Sequence, residues 1–204
     1  MKFVIATGNE GKLREFKRIL EPMGLQAVSV KQLGVAFDVE ETGSTFAQNA
    51  RLKAEAAMKL TGLPAIADDS GLCVDALGGA PGVYSARYSG EGDEENNRKL
   101  LRELEQVPAE QRTGRYVCAI CCVFPDGREL TAEGTCDGVI GTAPSGDHGF
   151  GYDPLFYVGG RSFGQYEDEE KDAISHRGKA LRQFAQALRR LQELQGAQQR
   201  EESI

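Results

Sequence analysis

An apolar run from Lys2 to Ala6 breaks at Thr7-Gly8-Asn9, and Leu13, Phe16, Ile19 and Leu20 then recur at helical spacing between Lys12 and Leu20. A change of period within so few residues specifies a strand that feeds straight into a helix. Pro22 and Gly24 stop the helix, and Leu25 to Val30 reads as a second strand. Strand, crossover helix and strand set the two strands side by side and parallel, which selects an α/β fold.

The remaining pattern extends this unit. Thr45 and Gln48 form a capping box that opens a helix running to about Leu60, ended by Gly62 and Pro64. Pro64 to Ala67 reads as a strand, interrupted by Asp68-Asp69-Ser70-Gly71 and resumed at Leu72-Cys73-Val74, with a glycine-rich loop from Leu77 to Gly82 behind it. Asp93 to Glu105 is predicted as a surface helix with Leu100, Leu101 and Leu104 inward. Tyr116 to Phe124 and Arg128 to Gly134 flank Pro125-Asp126-Gly127 as a hairpin. A long loop from Gly141 to Pro154 follows, and a last helix begins near Ser175 with Leu181, Phe184, Ala185, Leu188 and Leu191 on one face. No repeat, low-complexity linker or second hydrophobic core is visible. Residues 1–194 therefore read as one domain of two lobes about a mixed sheet with flanking helices, and residues 195–204 as a polar tail.

Composition narrows the partners. A chain of 204 residues buries enough surface to fold without disulfides or a structural metal. Lys and Arg number 24 against 31 Asp and Glu, a formal net charge of −7, which argues against nucleic acid or an anionic membrane as partner. A small anionic ligand held by a few placed cations is still compatible with that balance. The N-terminal apolar run is too short for a signal peptide, and no apolar stretch approaches the ~20 residues of a membrane span. With five cysteines, an odd number, the expected location is the reducing cytoplasm.

Several clusters have the chemistry to form a site. Thr7-Gly8-Asn9-Glu10-Gly11-Lys12 lies between strand and helix, where backbone N–H groups and the helix dipole favour phosphate; the same letters also serve as a plain capping turn. It matches neither a Walker A loop nor G-x-G-x-x-G. Lys53 falls in the stripe Phe46, Ala50, Lys53, Ala57, so its ammonium leaves from an inward face and needs an anion unless it snorkels at the edge. Asp68 and Asp69 stand at the end of a strand, where α/β sheets bind ligands; a divalent cation would offset their repulsion, and hard oxygen donors favour Mg²⁺. Glu40 or Glu41 could add a ligand, and an ordinary Asx turn is the competing explanation. Phe150-Gly151-Tyr152-Asp153 offers an aromatic ring beside a carboxylate, suited to stacking on a nucleobase or simply tucked into a surface loop. Ser175 is a helix cap followed by His176 and Arg177, whose charges oppose the dipole and so suit a ligand better than the helix. Cys118 and Cys121 lie within a strand and point to opposite faces, so they read as buried hydrophobes rather than a redox pair. With His148 and His176 as the only histidines, zinc is disfavoured.

Taken in order, Ala6-Thr7-Gly8-Asn9 with Lys12, Glu40-Glu41-Thr42-Gly43 with Thr45-Phe46, Ala67 to Leu72, Leu77 to Gly82, Phe150 to Pro154, and Glu170-Lys171 with Ile174 to Arg177 resemble the inosine triphosphate pyrophosphatase family, the XTP/dITP diphosphatases. The likeness runs from Phe3 to about Leu188. It implies a two-lobed α/β fold with the active-site cleft between the lobes, usually a homodimer, that hydrolyses ITP, dITP and XTP to monophosphate and pyrophosphate with Mg²⁺. Carried onto this chain, the resemblance gives the triphosphate to Thr7, Gly8, Asn9, Glu10, Gly11, Lys12 and Lys53. Asp69 would bind metal and activate water, with Glu40 or Glu41 completing the metal site, and Ser70 would touch the substrate. Phe150, Gly151, Tyr152, Asp153, Lys171, His176 and Arg177 would form the base pocket. Donors in that pocket can pair with a 6-keto oxygen, whereas the 6-amino group of adenine would leave them unpaired. Two other functions compete: a purine-nucleotide-binding regulator without turnover, and a related pyrophosphatase for pyrimidine or modified nucleotides.

Overall fold

The computed structural model describes residues 2–201, with side chains through residue 194. Seven strands form one mixed sheet: β1 (Lys2–Ile5), β2 (Gln26–Ser29), β3 (Ala65–Val74), β4 (Thr113–Val123), β5 (Glu129–Ile140), β6 (Phe156–Val158) and β7 (Arg161–Ser162), in the order β2-β1-β3-β4-β5-β6-β7. β1 is parallel to β2 and to β3, with Lys2 opposite Gln26 and Val4 opposite Ala65, and every later pairing is antiparallel. Among the described residues five α-helices flank it: α1 (Glu10–Leu20), α2 (Phe46–Thr61), α3 (Asp93–Glu103), α4 (Asp168–Ile174) and α5 (His176–Glu201). The expected tail of residues 195–204 lies beyond the described side chains, although the backbone of α5 continues to Glu201. No helix among the described residues is long and apolar enough to cross a membrane.

Strand alternation divides the core. Phe3 and Ile5 of β1, Ile66 of β3 and Cys118, Ile120 and Cys122 of β4 pack with Phe16 of α1 and Leu181, Phe184 and Leu188 of α5. Val4 and Ala6, Ala65 and Ala67, and Cys121 and Val123 turn to the other face, against Ala50, Ala54 and Ala57 of α2. The small side chains of α2 let that helix lie close to the sheet. A third cluster forms where the far ends of β3, β4 and β5 leave these helices: Leu72, Val74, Tyr116, Cys136 and Ile140 pack with Leu100 of α3, with Leu104 just beyond its end, and with Phe156 and Phe163. The single core expected from sequence is therefore three clusters on one sheet, the third belonging to the second lobe. Tyr116 stacks on the His176 ring at 4.5 Å and packs edge-on to Phe156 at 4.7 Å, joining α5 to that lobe.

Two expectations about β3 and β4 need correction. Asp68 to Gly71 do not interrupt the strand; the ladder to β4 is continuous from Ala65 opposite Val123 to Val74 opposite Gly114. Gly71 makes this possible, since a Cβ there would stand 2.3 Å from the Gly82 carbonyl oxygen. The hairpin of β4 and β5 is also longer than expected, reaching Thr113 and Ile140, and α4 is not visible in the apolar pattern because it is only seven residues long with an acidic first turn.

Candidate active site

The two lobes flank a cleft lined from α1 and its preceding turn (Asn9, Lys12), the loop before α2 (Glu41), β3 (Asp69, Ser70), Val83, Ser85 and Ala86, the loop Phe150–Asp153, and Lys171, His176 and Arg177. Side-chain direction on β3 decides what each wall carries. Asp68 and Ser70 face α1 and α5, and Asp69 faces α2. The alternation turns the adjacent carboxylates to opposite faces, where each meets its own cations, Lys12 and Arg177 for Asp68 and Lys53 for Asp69.

Toward α1 and α5 the charges alternate along a buried ladder. Lys12 Nζ lies 3.0 Å from Asp68 Oδ2, which also accepts Arg177 Nε at 3.2 Å and Nη2 at 3.1 Å. Arg177 donates onward to Ser70 Oγ at 2.7 Å and to Glu15, and Lys171 donates to Glu15 Oε1 at 2.8 Å and Asp153 Oδ2 at 2.6 Å. Burial alone would raise the carboxyl of Glu15, but Arg177 and Lys171 outweigh it and hold Glu15 down at about 2. Asp68 is likewise held far below the carboxylate range, the charges of Lys12, Arg177 and Lys53 exceeding its desolvation. Asp153 goes the other way, raised by complete burial that Lys171 does not fully offset. His176 is driven well below its usual value by burial and by Arg177, and is therefore neutral at pH 7; its Nδ1 is buried and has no protein partner.

Toward α2 a second group forms. Thr45 caps α2 by accepting the Gln48 N–H, which sets Asn49 and Lys53 one turn apart on the inward face. Asn49 Nδ2 donates to Asp69 Oδ2 at 3.1 Å, and Lys53 Nζ donates to Asp69 Oδ1 at 3.2 Å and Glu41 Oε1 at 2.6 Å. Arg87 Nη1 takes the other oxygen of Glu41 at 3.0 Å. Burial and the nearby charge of Glu41 raise Asp69 above its ordinary pKa despite Lys53, which makes it a stronger base than a free aspartate. Burial works against the Lys53 charge, but Asp69 and Asp68 more than restore it.

The structure brings most of the sequence-derived site residues to this cleft, with exceptions. Glu40 is exposed and does not line it, whereas the next side chain, Glu41, does. Thr7, Gly8 and Glu10 line a neighbouring depression that shares Asn9 with the cleft. Thr7 Oγ1 accepts the Asn9 N–H at 3.1 Å and Asn9 Oδ1 accepts that of Lys12 at 3.0 Å, so this turn also caps α1. Gly11 lies under Phe150: a Cβ there would be 2.6 Å from Phe150 Cδ1. His176 and Arg177 are not solvated first-turn residues: they are 4% and 1% exposed. Sequence reasoning missed Glu15, Asn49 and Arg87. Asn49 was within reach of it, being four residues before Lys53 on the same face; Glu15 was not, because its partners lie 156 and 162 residues away.

The donor set bears on a metal. Asp69 Oδ1 and Glu41 Oε1 both sit on one lysine nitrogen and hence close to a common point. No group of three or more His, Cys, Asp or Glu poised for a metal occurs among the described residues. A pair of hard carboxylates fits Mg²⁺, which binds through one or two protein carboxylates and fills its octahedron with water and phosphate oxygens.

Comparison with known proteins agrees with this architecture. The chain is 53% identical over 195 residues to a dITP/XTP pyrophosphatase of Desulforamulus reducens, covering 94% of this chain and 97% of that one. Among solved structures it resembles the Ham1 protein of Staphylococcus aureus, with a TM-score of 0.82 and 44% identity over 93% of this chain and 98% of that one. A HAM1 protein from Coxiella burnetii gives 0.83 and 41% over 93% and 99%. The model of the Ham1 family matches residues 3–187, a span that holds every side chain of the cleft described above and, apart from Lys2 of β1, the described sheet, and this chain belongs to the Ham1 family.

Proposed function

We propose that this chain hydrolyses the non-canonical purine nucleoside triphosphates ITP, dITP and XTP to nucleoside monophosphate and pyrophosphate, clearing them from the nucleotide pool. The observation that carries the reading is one cleft with a carboxylate pair on lysine at one end and buried donors beside an aromatic ring at the other, in a chain similar throughout to dITP/XTP pyrophosphatases.

In this reading Lys12, Lys53 and the turn Thr7–Gly11 hold the triphosphate. Every cation of the cleft is already paired with a carboxylate, so a triphosphate entering without added positive charge would meet a site close to neutral. Mg²⁺ held by Asp69 and Glu41 would supply that charge, neutralising phosphate oxygens as the α-phosphorus is attacked. Asp69, raised by burial and fixed on both oxygens by Asn49 and Lys53, orients a water and accepts its proton. Phe150 stacks on the base. Lys171 and Arg177 each keep an N–H beyond those bonded to Glu15, Asp153, Asp68 and Ser70, and these together with neutral His176 meet a 6-keto oxygen. Adenine presents a donor there and is rejected, because the buried groups would be left unpaired. Guanine carries the same 6-keto oxygen, so its exclusion must act at position 2.

Residues 1–194 act as one two-lobed unit in this proposal. Five free cysteines, four of them buried, suit the cytoplasm, and the family resemblance supports a homodimer, to be checked by sedimentation. The deciding assay is pyrophosphate release from ITP, XTP, dITP, GTP, ATP, dTTP and UTP, with Mg²⁺ and with EDTA. Metal-dependent monophosphate from ITP and XTP, with ATP nearly untouched, is the expected result. Binding of ITP without turnover of any triphosphate would identify a regulator instead.

A further inference from the structure

Helix α3 grips the loop that carries Phe150. Asp93 Oδ2 accepts the Gly151 N–H at 2.9 Å, and Asn97 Nδ2 donates to the Gly151 carbonyl at 2.9 Å. Both polar groups of one backbone residue are thus held by two side chains one helical turn apart, at a glycine whose φ of 62° favours the absence of a Cβ. Asn97 Oδ1 is buried without a partner, so the Gly151 carbonyl orients the amide even though its own oxygen goes unsatisfied. On its other side the loop is tied by the Phe150 N–H to Asp153 Oδ2 at 2.9 Å, the oxygen that also receives Lys171. Between these two ties the Phe150 ring stands with the Lys171 ammonium 4.9 Å and the Arg177 guanidinium 5.7 Å from its centre.

We propose that Asp93 and Asn97 are positioning residues for base recognition. Their clamp on Gly151 sets the angle at which Phe150 presents its ring opposite the donors of the cleft, while neither residue acts at the phosphates. This rests on the cleft being a purine nucleotide site, as proposed above. Without the clamp the loop turns about Gly151, and the stacking surface is correct in only a fraction of molecules, which weakens binding by that fraction and leaves the bound complex to react normally.

Asn97→Asp exchanges the donor for an acceptor at constant shape, and Asp93→Ala removes the acceptor; Asp93→Asn keeps one, and Glu94→Gln alters an exposed side chain of the same turn. The first two are expected to raise KM for ITP about three- to tenfold, the worth of one hydrogen bond, with kcat within about twofold. Asp93→Asn restores most of the loss, and Glu94→Gln matches the wild type. Amide exchange of residues 149–153 should quicken in the first two variants alone. Unchanged exchange, or faster exchange with unchanged KM, overturns the proposal, as does a fall in kcat at constant KM. If the wild type turns over no triphosphate, the functional reading fails separately, and the clamp is judged by exchange together with ITP affinity in calorimetry: weaker ITP binding by Asn97→Asp supports it, equal binding overturns it.

Discussion

Asp68 and Asp69 are neighbours in β3 and answer to different cations: Asp68 Oδ2 lies 3.1 Å from Arg177 Nη2, and Asp69 Oδ1 lies 3.2 Å from Lys53 Nζ. The pleat separates them, so one substitution repeated at both positions should give two unlike enzymes. Asp69→Asn keeps the side-chain shape but removes the charge proposed above to take a proton from water. Turnover of ITP should fall by about 10²-fold or more, while ITP binding stays measurable by calorimetry. Asp68→Asn instead leaves Arg177 and Lys12 short of a counter-charge in the interior, at a cost of about 3 kcal/mol or more in stability. Thermal melting separates the two cases, and a matching loss of stability at both positions would contradict this division.

Arg177 complicates the simplest test of the proposed base pocket. Its guanidinium is 1% exposed and bonds both Asp68 and Glu15, so Arg177→Ala strips two buried carboxylates at once. That variant should lose about 3–5 kcal/mol and report on folding more than on the base. Arg177→Lys keeps the charge without the planar fork that spans both carboxylates. We expect a folded enzyme whose kcat/KM for ITP drops much more than its already poor rate with ATP. Equal losses for the two nucleotides would refute the donor account of purine selection.

The sequence made the N-terminal strand, helix and strand legible because short-range periodicity alone specifies them; β1 and β2 are parallel as the crossover requires. Lys53 was legible for the same reason, its position within an apolar stripe. The strand break expected at Asp68-Asp69-Ser70-Gly71 rests on polar, turn-forming letters, whereas ten residues of ladder to β4 carry the strand straight through them. Glu15 could not be found at all. Between Arg14 and Phe16 it looks like any surface glutamate of an amphipathic helix, and only the return of α4 and α5 to that face supplies Lys171 and Arg177. Glu41 was separable from Glu40 only once the loop before α2 had a path, with one side chain on Lys53 and the other in solvent.

The same buried glutamate gives the fold a specific acid sensitivity. Arg177 and Lys171 hold Glu15 at about 2, against an ordinary value of 4.5. Between those values the unfolded chain binds more protons than the folded one, so stability from Glu15 is complete above pH 4.5 and is lost as pH falls toward 2. Asp153, raised by burial, acts in the opposite sense, and the comparison of wild type with Glu15→Gln isolates the first effect. Urea midpoints measured from pH 7 to pH 3 should fall more steeply for the wild type. Parallel slopes would show that the ladder does not depend on the Glu15 charge.

Two glycines near the cleft are indispensable for different reasons, and alanine distinguishes them. At Gly71 a Cβ would meet the Gly82 carbonyl oxygen at 2.3 Å and Ser85 Oγ at 2.5 Å. The first neighbour is backbone and cannot turn aside, so Gly71→Ala should cost about 1–3 kcal/mol by overpacking, seen as a lower melting temperature. At Gly11 the obstacle is the Phe150 ring, 2.6 Å away. A ring on a loop can move, and alanine in α1 gains up to about 1 kcal/mol of helix propensity over glycine. Gly11→Ala should therefore melt near the wild-type temperature, yet it displaces the Phe150 ring, the surface proposed to stack on the base. Its KM for ITP should rise about fivefold or more, since base–aromatic stacking contributes ~1–3 kcal/mol, with kcat little changed. An unaltered KM would mean that Phe150 does not carry the base, and the aromatic partner would have to be sought elsewhere in the cleft.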